Sequence, residues 1–169
     1  MPKIIKFKGL NPKIDKNAFI AHGSIIAGDV TVAEYSGIWF NCVLRGDVNP
    51  ITVGSRTNIQ DGTIIHTSRF EGPTSIGDNV TIGHLALIHA CTIRNNAFIG
   101  MQSTIMDKAI IEEYAFIAAG SLVTPGKIVK SRELWAGSPA KYIRRITEEE
   151  VRFMQDNIEN YIDLAKEYK

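Results

Sequence analysis

Apolar side chains recur every six residues along most of this 169-residue chain, and this period constrains the fold more than any other feature. The position four residues after an apolar anchor is usually small or β-branched, as in Ser24, Cys42 and Thr63. Neither the helical period of about 3.6 nor the strand period of about 2 governs the spacing. The repeat predicts a parallel β-helix, because its short strands turn corners where a large side chain would not fit. The anchors are Ile14, Ile20, Ile26, Val32, Ile38, Leu44, Val53, Ile59, Ile65, Ile76, Ile82, Ile88, Ile93, Ile99, Ile105, Ile111, Ile117 and Val123.

The repeat resembles that of the left-handed hexapeptide-repeat β-helix family over about residues 14–125. In that family three hexapeptides form one triangular coil. The resemblance therefore implies a mainly β fold of about six coils, stacked roughly 4.8 Å apart. We predict a single domain over residues 1–169. The register breaks at residues 46–52 and 67–75, and both insertions are expected to emerge as loops.

The end of the chain has a different pattern. Residues 126–146 are predicted to form an irregular return segment, because glycine and proline interrupt them. Residues 147–168 are predicted to form a C-terminal α-helix packed along the outside of the prism. Thr147 and Glu150 have the spacing of a capping box at its start. The helix has an apolar stripe at helical spacing, formed by Val151, Met154, Ile158, Ile162 and Ala165.

The amino-acid composition limits the kinds of binding partner that we expect for this chain. Lys and Arg total 19 against 18 for Asp and Glu, so the net charge of +1 favours neither nucleic acid nor a membrane as a partner. No apolar run approaches the roughly 18 residues that span a bilayer, and no signal-like segment is present. Cys42 and Cys91 match neither a disulfide framework nor a CxxC metal site and are interpreted as small buried hydrophobes. We expect a cytoplasmic protein that acts on a small molecule.

The repeat register assigns the histidines to faces of the prism. His66 and His89 each follow an anchor by one residue on the same face, one coil apart, so they should stack roughly 5 Å apart. His84 lies two residues beyond its anchor on the preceding face, directly above Asp61. Three imidazoles suit one zinc ion, but His84 would have to reach round a corner. The register therefore predicts a metal shared between subunits of a homotrimer. His22, well below His84 in its column, is interpreted as structural.

Three stretches resemble the motif blocks of the γ-class carbonic anhydrases and their close bacterial relatives: LRGDVNPITVG at 44–54, TNIQDGTIIH at 57–66 and TIGHLALIHACTI at 81–93. In that family zinc or ferrous iron lies at the subunit interfaces of a homotrimer. The resemblance implies that His66 and His89 come from one subunit and His84 from its neighbour, with one divalent metal, zinc or iron(II), per interface. The implied activity is metal-dependent reversible hydration of carbon dioxide to bicarbonate by a metal-bound hydroxide at these interfaces.

Four more residues correspond to catalytic positions of the family. Gln60 matches the glutamine beside the metal-bound solvent, where its amide would orient hydroxide or hold bicarbonate. Arg45 and Asp47 match the arginine and aspartate of the RGD block. Asp61 matches the aspartate that pairs with the arginine across the subunit interface. A purely structural interface ion pair is the alternative interpretation of Arg45, Asp47 and Asp61.

The chain departs from the family at the proton-transfer residues. The best-studied members carry glutamates where this sequence has Val48 and Arg69, and Glu71 is the one acid between residues 67 and 75. The loop therefore resembles that of shorter-loop relatives. Tyr161 on the last helix is a further candidate for the site.

Three alternative functions remain on the same fold. A CoA-dependent acyltransferase is suggested by GSPAK at 137–141, which resembles the end of that repeat domain. A metal-assisted thioesterase is the second alternative, because a metal hydroxide attacks a carbonyl as readily as carbon dioxide. The third alternative is a non-catalytic, metal-binding trimeric scaffold.

Overall fold

A computed structural model describes residues 1–168. Within them, short strands wind into a left-handed parallel β-solenoid of about seven turns, followed by one helix. This confirms the predicted β-helix. The strands are β1 Lys3–Ile5, β2 Lys13–Ile14, β3 Phe19–Ile20, β4 Ile25–Val32, β5 Gly37–Ile38, β6 Val43–Val53, β7 Asn58–Ile59, β8 Ile64–His66, β9 Thr74–Ile76, β10 Thr81–Ile82, β11 Leu87–His89, β12 Thr92–Ile93, β13 Phe98–Ile99, β14 Thr104–Ile105, β15 Ile110–Ile111, β16 Phe116–Ile117, β17 Leu122–Val123, β18 Ile128–Val129, β19 Glu133–Gly137 and β20 Ala140–Arg145.

The core is a column of the predicted anchors, stacked by parallel strand pairing. On one face Ile59 pairs with Ile82, which in turn pairs with Ile99. From Ile26 to Val123 every anchor is at most 2% exposed. Because burying one such side chain contributes roughly 1.5–3 kcal/mol, this column is the main source of stability.

Small polar residues between the strands bond to the backbone of the next coil. The Ser36 hydroxyl donates to the carbonyl of Gly54 (2.6 Å) and accepts from the amide of Thr57 (3.0 Å). A short side chain at this position can reach the adjacent coil, so a buried hydroxyl keeps its hydrogen bonds.

The solenoid is about one turn longer than the predicted six coils. At the lower end Ile4 stacks beneath Ile26. At the upper end Val129 and Trp135 extend the six-residue register beyond Val123. The sequence did not predict these end positions, because the step from Ile4 to Ile14 is ten residues instead of six, and proline and glycine precede Val129.

The prediction of an irregular segment at residues 126–146 is wrong. This segment contains β18, β19 and β20, with β19 parallel to β16 and antiparallel to β20. Gly126 has a φ of +70° and turns a corner of the solenoid without ending the repeat. The antiparallel strand β20 covers the edge that β19 would otherwise leave open.

Only one of the two predicted loops forms. Residues 46–52 lie within β6, which pairs with β4 through a shift in register. A Cβ on Gly46 would lie 2.4 Å from a backbone oxygen of β4, so glycine allows this close approach. Residues 67–73 do form a turn, closed by backbone hydrogen bonds between Ser68 and Gly72 (3.1 and 3.2 Å), and Thr74 and Ser75 already belong to β9.

Helix α1 spans Glu148–Glu167 and agrees with the predicted helix. The Thr147 side chain accepts a bond from the Glu150 amide, and the Glu150 side chain accepts one from the Thr147 amide, so the predicted capping box is present. Its buried residues are Val151, Met154, Ile158 and Ala165. The helix contacts β5, β7 and β10 and thereby covers one face of the prism. In the described part of the chain, no helix has both the length and the apolar character needed to cross a bilayer.

Candidate metal centre

His66 and His89 lie side by side on one face of the prism. His66 ends β8, His89 ends β11, and the two are direct partners in the parallel pairing of these strands. Arg45 is the next partner below His66. The two imidazoles face outward, because the anchors that precede them, Ile65 and Ile88, point into the core. The register prediction for this column is confirmed.

Each of the two imidazoles has one carboxylate partner and one nitrogen that faces the other ring. Nε2 of His66 lies 3.0 Å from Asp47, and Nδ1 of His89 lies 2.5 Å from Asp107. Since a carboxylate only accepts, each neutral ring carries its hydrogen on the nitrogen next to the carboxylate and its lone pair on the other. These two lone-pair nitrogens, Nδ1 of His66 and Nε2 of His89, lie 3.2 Å apart.

This donor set fits a divalent metal ion. Two lone pairs cannot hydrogen-bond to each other, but both can bind one cation. Two imidazole nitrogens on a tetrahedral zinc, each at about 2.0–2.1 Å, would be about 3.3 Å apart. The observed separation of 3.2 Å is close to that value. Carboxylates on the outer nitrogens are the usual orienting partners of metal-binding histidines.

Asp47 lies between Arg45 and His66, and its environment favours the anion. Partial desolvation acts to raise the pKa of its carboxyl group, but hydrogen bonds from His66 and Arg45 outweigh this effect. The resulting pKa lies below its ordinary value. Arg45 also forms an ion pair with Asp47. Two predicted catalytic residues are therefore adjacent to a predicted metal ligand.

His84 lies on the neighbouring face. It follows β10 by two residues, and Asp61 follows β7, the parallel partner of β10, by two residues. Nδ1 of His84 lies 2.9 Å from Asp61, which directs its Nε2 away from that carboxylate. Both side chains are about two-fifths exposed, at 38% and 40%. Among residues 1–168 of one chain, no group of three His, Cys, Asp or Glu side chains is arranged to hold a metal.

The chain brings only some of the predicted site residues into contact. Asp61 contacts His84, whereas Arg45 contacts Asp47. The pairing of Arg45 with Asp61 across a subunit interface stays a prediction. His22 is exposed, and its structural interpretation also stays a prediction.

Gln60 is a nearly buried residue at the end of β7. It is 5% exposed, and its backbone carbonyl oxygen accepts a hydrogen bond from the Cys42 thiol at 3.1 Å. Burial raises the pKa of Cys42, and likewise of Cys91, to about 12. Both thiols therefore stay protonated and unreactive, as the sequence predicted.

Tyr161 of α1 lies close to the column formed by Asp61 and His84. Its ring packs edge-on against Trp39, with centroids 5.2 Å apart. Desolvation, and then the negative charge of Asp61, raise the pKa of the Tyr161 hydroxyl. Helix α1 thus places a protonated phenol near the Asp61–His84 pair.

Asp107 is the site residue that the sequence analysis missed. It lies two residues after the anchor Ile105, one coil above His89, whereas His89 lies one residue after its own anchor. A search of single columns does not connect them. A search of adjacent coils for carboxylates one register step from each histidine would have found it.

Exposed apolar side chains surround the two histidine columns. Ile64 and Leu87 pair in register directly before the anchors that precede His66 and His89. Leu85 follows His84 in sequence, and all three of these apolar residues are exposed, as is Met101. A patch of this kind next to a polar centre is typical of a protein contact surface.

The chain is similar to proteins named carbonic anhydrase. It is 47% identical over 161 residues to "Gamma carbonic anhydrase 2, mitochondrial" of Arabidopsis thaliana, covering 92% of this chain and 58% of the plant protein. The chain thus spans about three-fifths of that relative's length. It is 46% identical over 166 residues to "Carbonic anhydrase" of Geobacillus kaustophilus, covering 98% of this chain and 91% of the relative.

The repeat and the fold also match known proteins. The family model "Bacterial transferase hexapeptide (six repeats)" matches residues 90–125. The crystal structure of a hexapeptide transferase family protein from Anaplasma phagocytophilum has a TM-score of 0.95 and 52% identity, covering 99% of this chain and 98% of that one. Together with the 46% identity to the Geobacillus protein over 98% of this chain, these matches show that the chain belongs to the γ-class carbonic anhydrase-like family of hexapeptide-repeat proteins.

Proposed function

We propose that this protein catalyses the reversible hydration of carbon dioxide to bicarbonate at metal sites shared between the subunits of a homotrimer. The observation that carries the proposal is the His66–His89 pair, whose lone-pair nitrogens lie 3.2 Å apart. Relatives named carbonic anhydrase support the same activity.

The chain provides two ligands on one face and a third on another. His66 and His89 of one subunit, with His84 of the neighbouring subunit, would hold one zinc or ferrous ion. Such an ion supplies a Lewis acid that lowers the pKa of water toward 7 and so makes a nucleophile at neutral pH. Because the three imidazoles are neutral, they leave the charge of the ion uncompensated.

Several contacts support a shared site. Asp61 orients His84 so that its Nε2 points away from that carboxylate. The exposed residues Ile64, Leu85 and Leu87 surround the histidines, and an interface there would remove them from water at roughly 25 cal/mol per Å². In the trimer, Arg45 of one subunit is expected to meet Asp61 of the next.

The remaining site residues would position the reactants. The Gln60 amide is suited to orient the attacking water or to donate a hydrogen bond to the developing bicarbonate. Asp47 holds the ring of His66. Arg45, one coil below His66, adds a positive charge that attracts the bicarbonate anion in the reverse reaction.

Proton release is expected to depend on solvent. Val48 and Arg69 replace the glutamates of the best-studied family members, and Glu71 is engaged in an ion pair with Lys108. With no free carboxylate at these positions, the proton passes directly to buffer. The rate of carbon dioxide hydration is therefore expected to rise with buffer concentration over a wider range than in an enzyme that has its own proton-transfer glutamates.

The decisive experiment mixes two inactive variants. His84→Ala lacks the metal ligand that each subunit would provide to its neighbour's site but keeps His66 and His89. The double variant His66→Ala/His89→Ala lacks the two ligands of its own face but keeps His84. In randomly mixed trimers, roughly a quarter of the interfaces would combine intact ligands from both chains. Metal content and stopped-flow hydration are expected to be near zero for each variant alone and near a quarter of wild type for the mixture.

Other outcomes would select an alternative. Full metal content in His84→Ala alone would exclude the shared site. Metal retained by the wild type without hydration, after both zinc and anaerobic iron loading, would favour the scaffold. Acetyl transfer from acetyl-CoA, or thioester hydrolysis, under those conditions would favour the acyltransferase or thioesterase.

A further inference from the structure

Asp107 occupies a rigid corner of the solenoid beside His89. Its carbonyl accepts a hydrogen bond from the amide of Gly126 one coil above (2.9 Å), and the next amide, of Lys108, donates to Ala90 one coil below (2.7 Å). The Lys108 side chain is also tied to Glu71 in the loop. The carboxylate of Asp107 is about three-quarters buried. Asp107 is therefore held in place by backbone bonds to the coils above and below it.

The proton positions in the pair depend on this carboxylate. A neutral imidazole has one N–H group, and Asp107 can only accept. With Asp107 present, that hydrogen lies on Nδ1 of His89 and the lone pair lies on Nε2. Without it, His89 can move its hydrogen to Nε2 and donate to Nδ1 of His66 at the same 3.2 Å separation. The two imidazoles would then be joined by an N–H···N hydrogen bond, which would occupy both nitrogens that could bind a metal.

We propose that Asp107 is a positioning residue that holds His89 in the Nδ1–H tautomer, keeps its Nε2 available for the metal, and prevents the two histidines from bonding to each other. The part concerning metal rests on the proposed function. The tautomer itself is a property of the metal-free chain.

The contrast between the two carboxylates explains why Asp107 has this role. Asp47 is shared between His66 and Arg45, so its orientation depends on two partners. Among the described residues, the Asp107 carboxylate forms its hydrogen bond with His89 alone. Asp107 lies one coil above His89, so the tautomer of His89 depends on how the upper coils stack on the middle coils.

Asp107→Asn is the sharpest variant, because the amide is nearly the same shape but can donate as well as accept. Once it rotates to donate to Nδ1, it favours the Nε2–H tautomer. Asp163→Asn is the matched control, since Asp163 is an exposed aspartate on α1 whose one ion pair within residues 1–168 is with Lys166. Asp107→Ala removes the acceptor without adding a donor and serves if the Asn variant does not fold.

The experiment measures the tautomer and zinc binding on the full chain. Long-range ¹H–¹⁵N correlations on the metal-free protein are expected to show Nδ1–H for His89 in the wild type and in Asp163→Asn, and loss of that state in Asp107→Asn. Zinc affinity, measured by competition with a chelator, is expected to fall about 10–100-fold in Asp107→Asn. A purely structural role would lower the unfolding midpoint but leave the tautomer unchanged.

The outcomes separate this proposal from the proposed function. An unchanged Nδ1–H tautomer with zinc affinity within about twofold of wild type would overturn the role of Asp107, whether or not the wild type is an anhydrase. A wild type that binds no zinc or ferrous ion would overturn the proposed function and the metal part of this proposal. In that case the tautomer shift in Asp107→Asn still decides whether Asp107 sets the state of His89.

Discussion

The middle coils, residues 44–93, and the upper coils, residues 94–129, share one interior but differ on the outside. In both regions the anchors are at most 2% exposed. Along the site face, the position after the anchor holds His66 and His89 in the middle coils but Met106 and Thr124 above them. Both insertions also lie in the middle coils. Stability is therefore distributed evenly along the solenoid, whereas the candidate chemistry is confined to outward positions in the middle coils.

The largest expected effect is a loss of metal binding and hydration activity without a loss of stability. Replacing both His66 and His89 with Ala should abolish metal binding and reduce hydration to the uncatalysed rate. The folded chain should persist, because these outward-facing side chains lie outside the apolar column of anchors. The melting temperature of the metal-free protein should stay close to that of metal-free wild type. Elemental analysis and stopped-flow hydration measure the loss. His22→Ala is the control and should retain both properties; a loss there would show that histidine removal acts through the fold.

The interior should respond equally in the two regions. Ile88→Ala in the middle coils and Ile111→Ala in the upper coils should each lower the free energy of unfolding by about 2–5 kcal/mol, because each leaves a cavity in a fully buried column. Denaturant unfolding gives both values. Only Ile88→Ala should also weaken zinc binding, since it precedes His89. A much smaller loss at Ile111 would contradict an evenly distributed core.

Glycine substitutions sharpen the comparison at the backbone level. Gly46→Ala should cost about 1–3 kcal/mol, because its Cβ would meet a backbone oxygen at 2.4 Å and neither strand can yield easily. Gly120→Ala in the upper coils meets no atom within 4 Å and is disfavoured only by its φ of +69°, at about 1 kcal/mol. Thermal unfolding compares the two. Zinc affinity should fall only for Gly46→Ala, which displaces Asp47; equal zinc affinity in both would show that this strand does not position the site.

The smallest effect concerns α1, which is linked to β20 near its start by the ion pair of Glu150 with Arg144 and contacts β5, β7 and β10. A hydrogen bond from Arg144 lowers the pKa of Glu150 from its ordinary value of 4.5 to about 2. Because the folded pKa is the lower one, the stabilisation is full above about pH 4.5 and is lost as the pH falls toward 2. Glu150→Gln should therefore be less stable than wild type by about 1 kcal/mol at pH 7.

The pH dependence provides the control for that variant. The difference between Glu150→Gln and wild type should shrink as the pH falls from about 4.5 to 2, measured by denaturant unfolding at a series of pH values. Glu149→Gln, in the same first turn, should show a smaller difference at pH 7. A difference for Glu150→Gln that stays constant with pH would rule out the charge of Glu150 as its cause.

Several features could be predicted from the sequence because they depend on local spacing. The six-residue period placed His66 beside His89 and assigned His84 to another face. The capping box placed the start of α1. The ends of the solenoid were harder to predict. Ile4 is separated from the next anchor, Ile14, by more than six residues. A glycine such as Gly126 is compatible both with the end of a repeat and with a corner of the solenoid, so the residue type does not distinguish them.

By itself, the sequence determined the repeat, the inward column and the faces on which the histidines lie, since these follow from counting residues along a regular coil. The tertiary structure decided which groups touch across coils. Asp107 reaches His89 from one coil above, and residues 46–52 continue β6 because β4 offers a backbone to pair with. Such contacts depend on distances between chain segments about 18 residues apart, which a pattern along the chain does not specify.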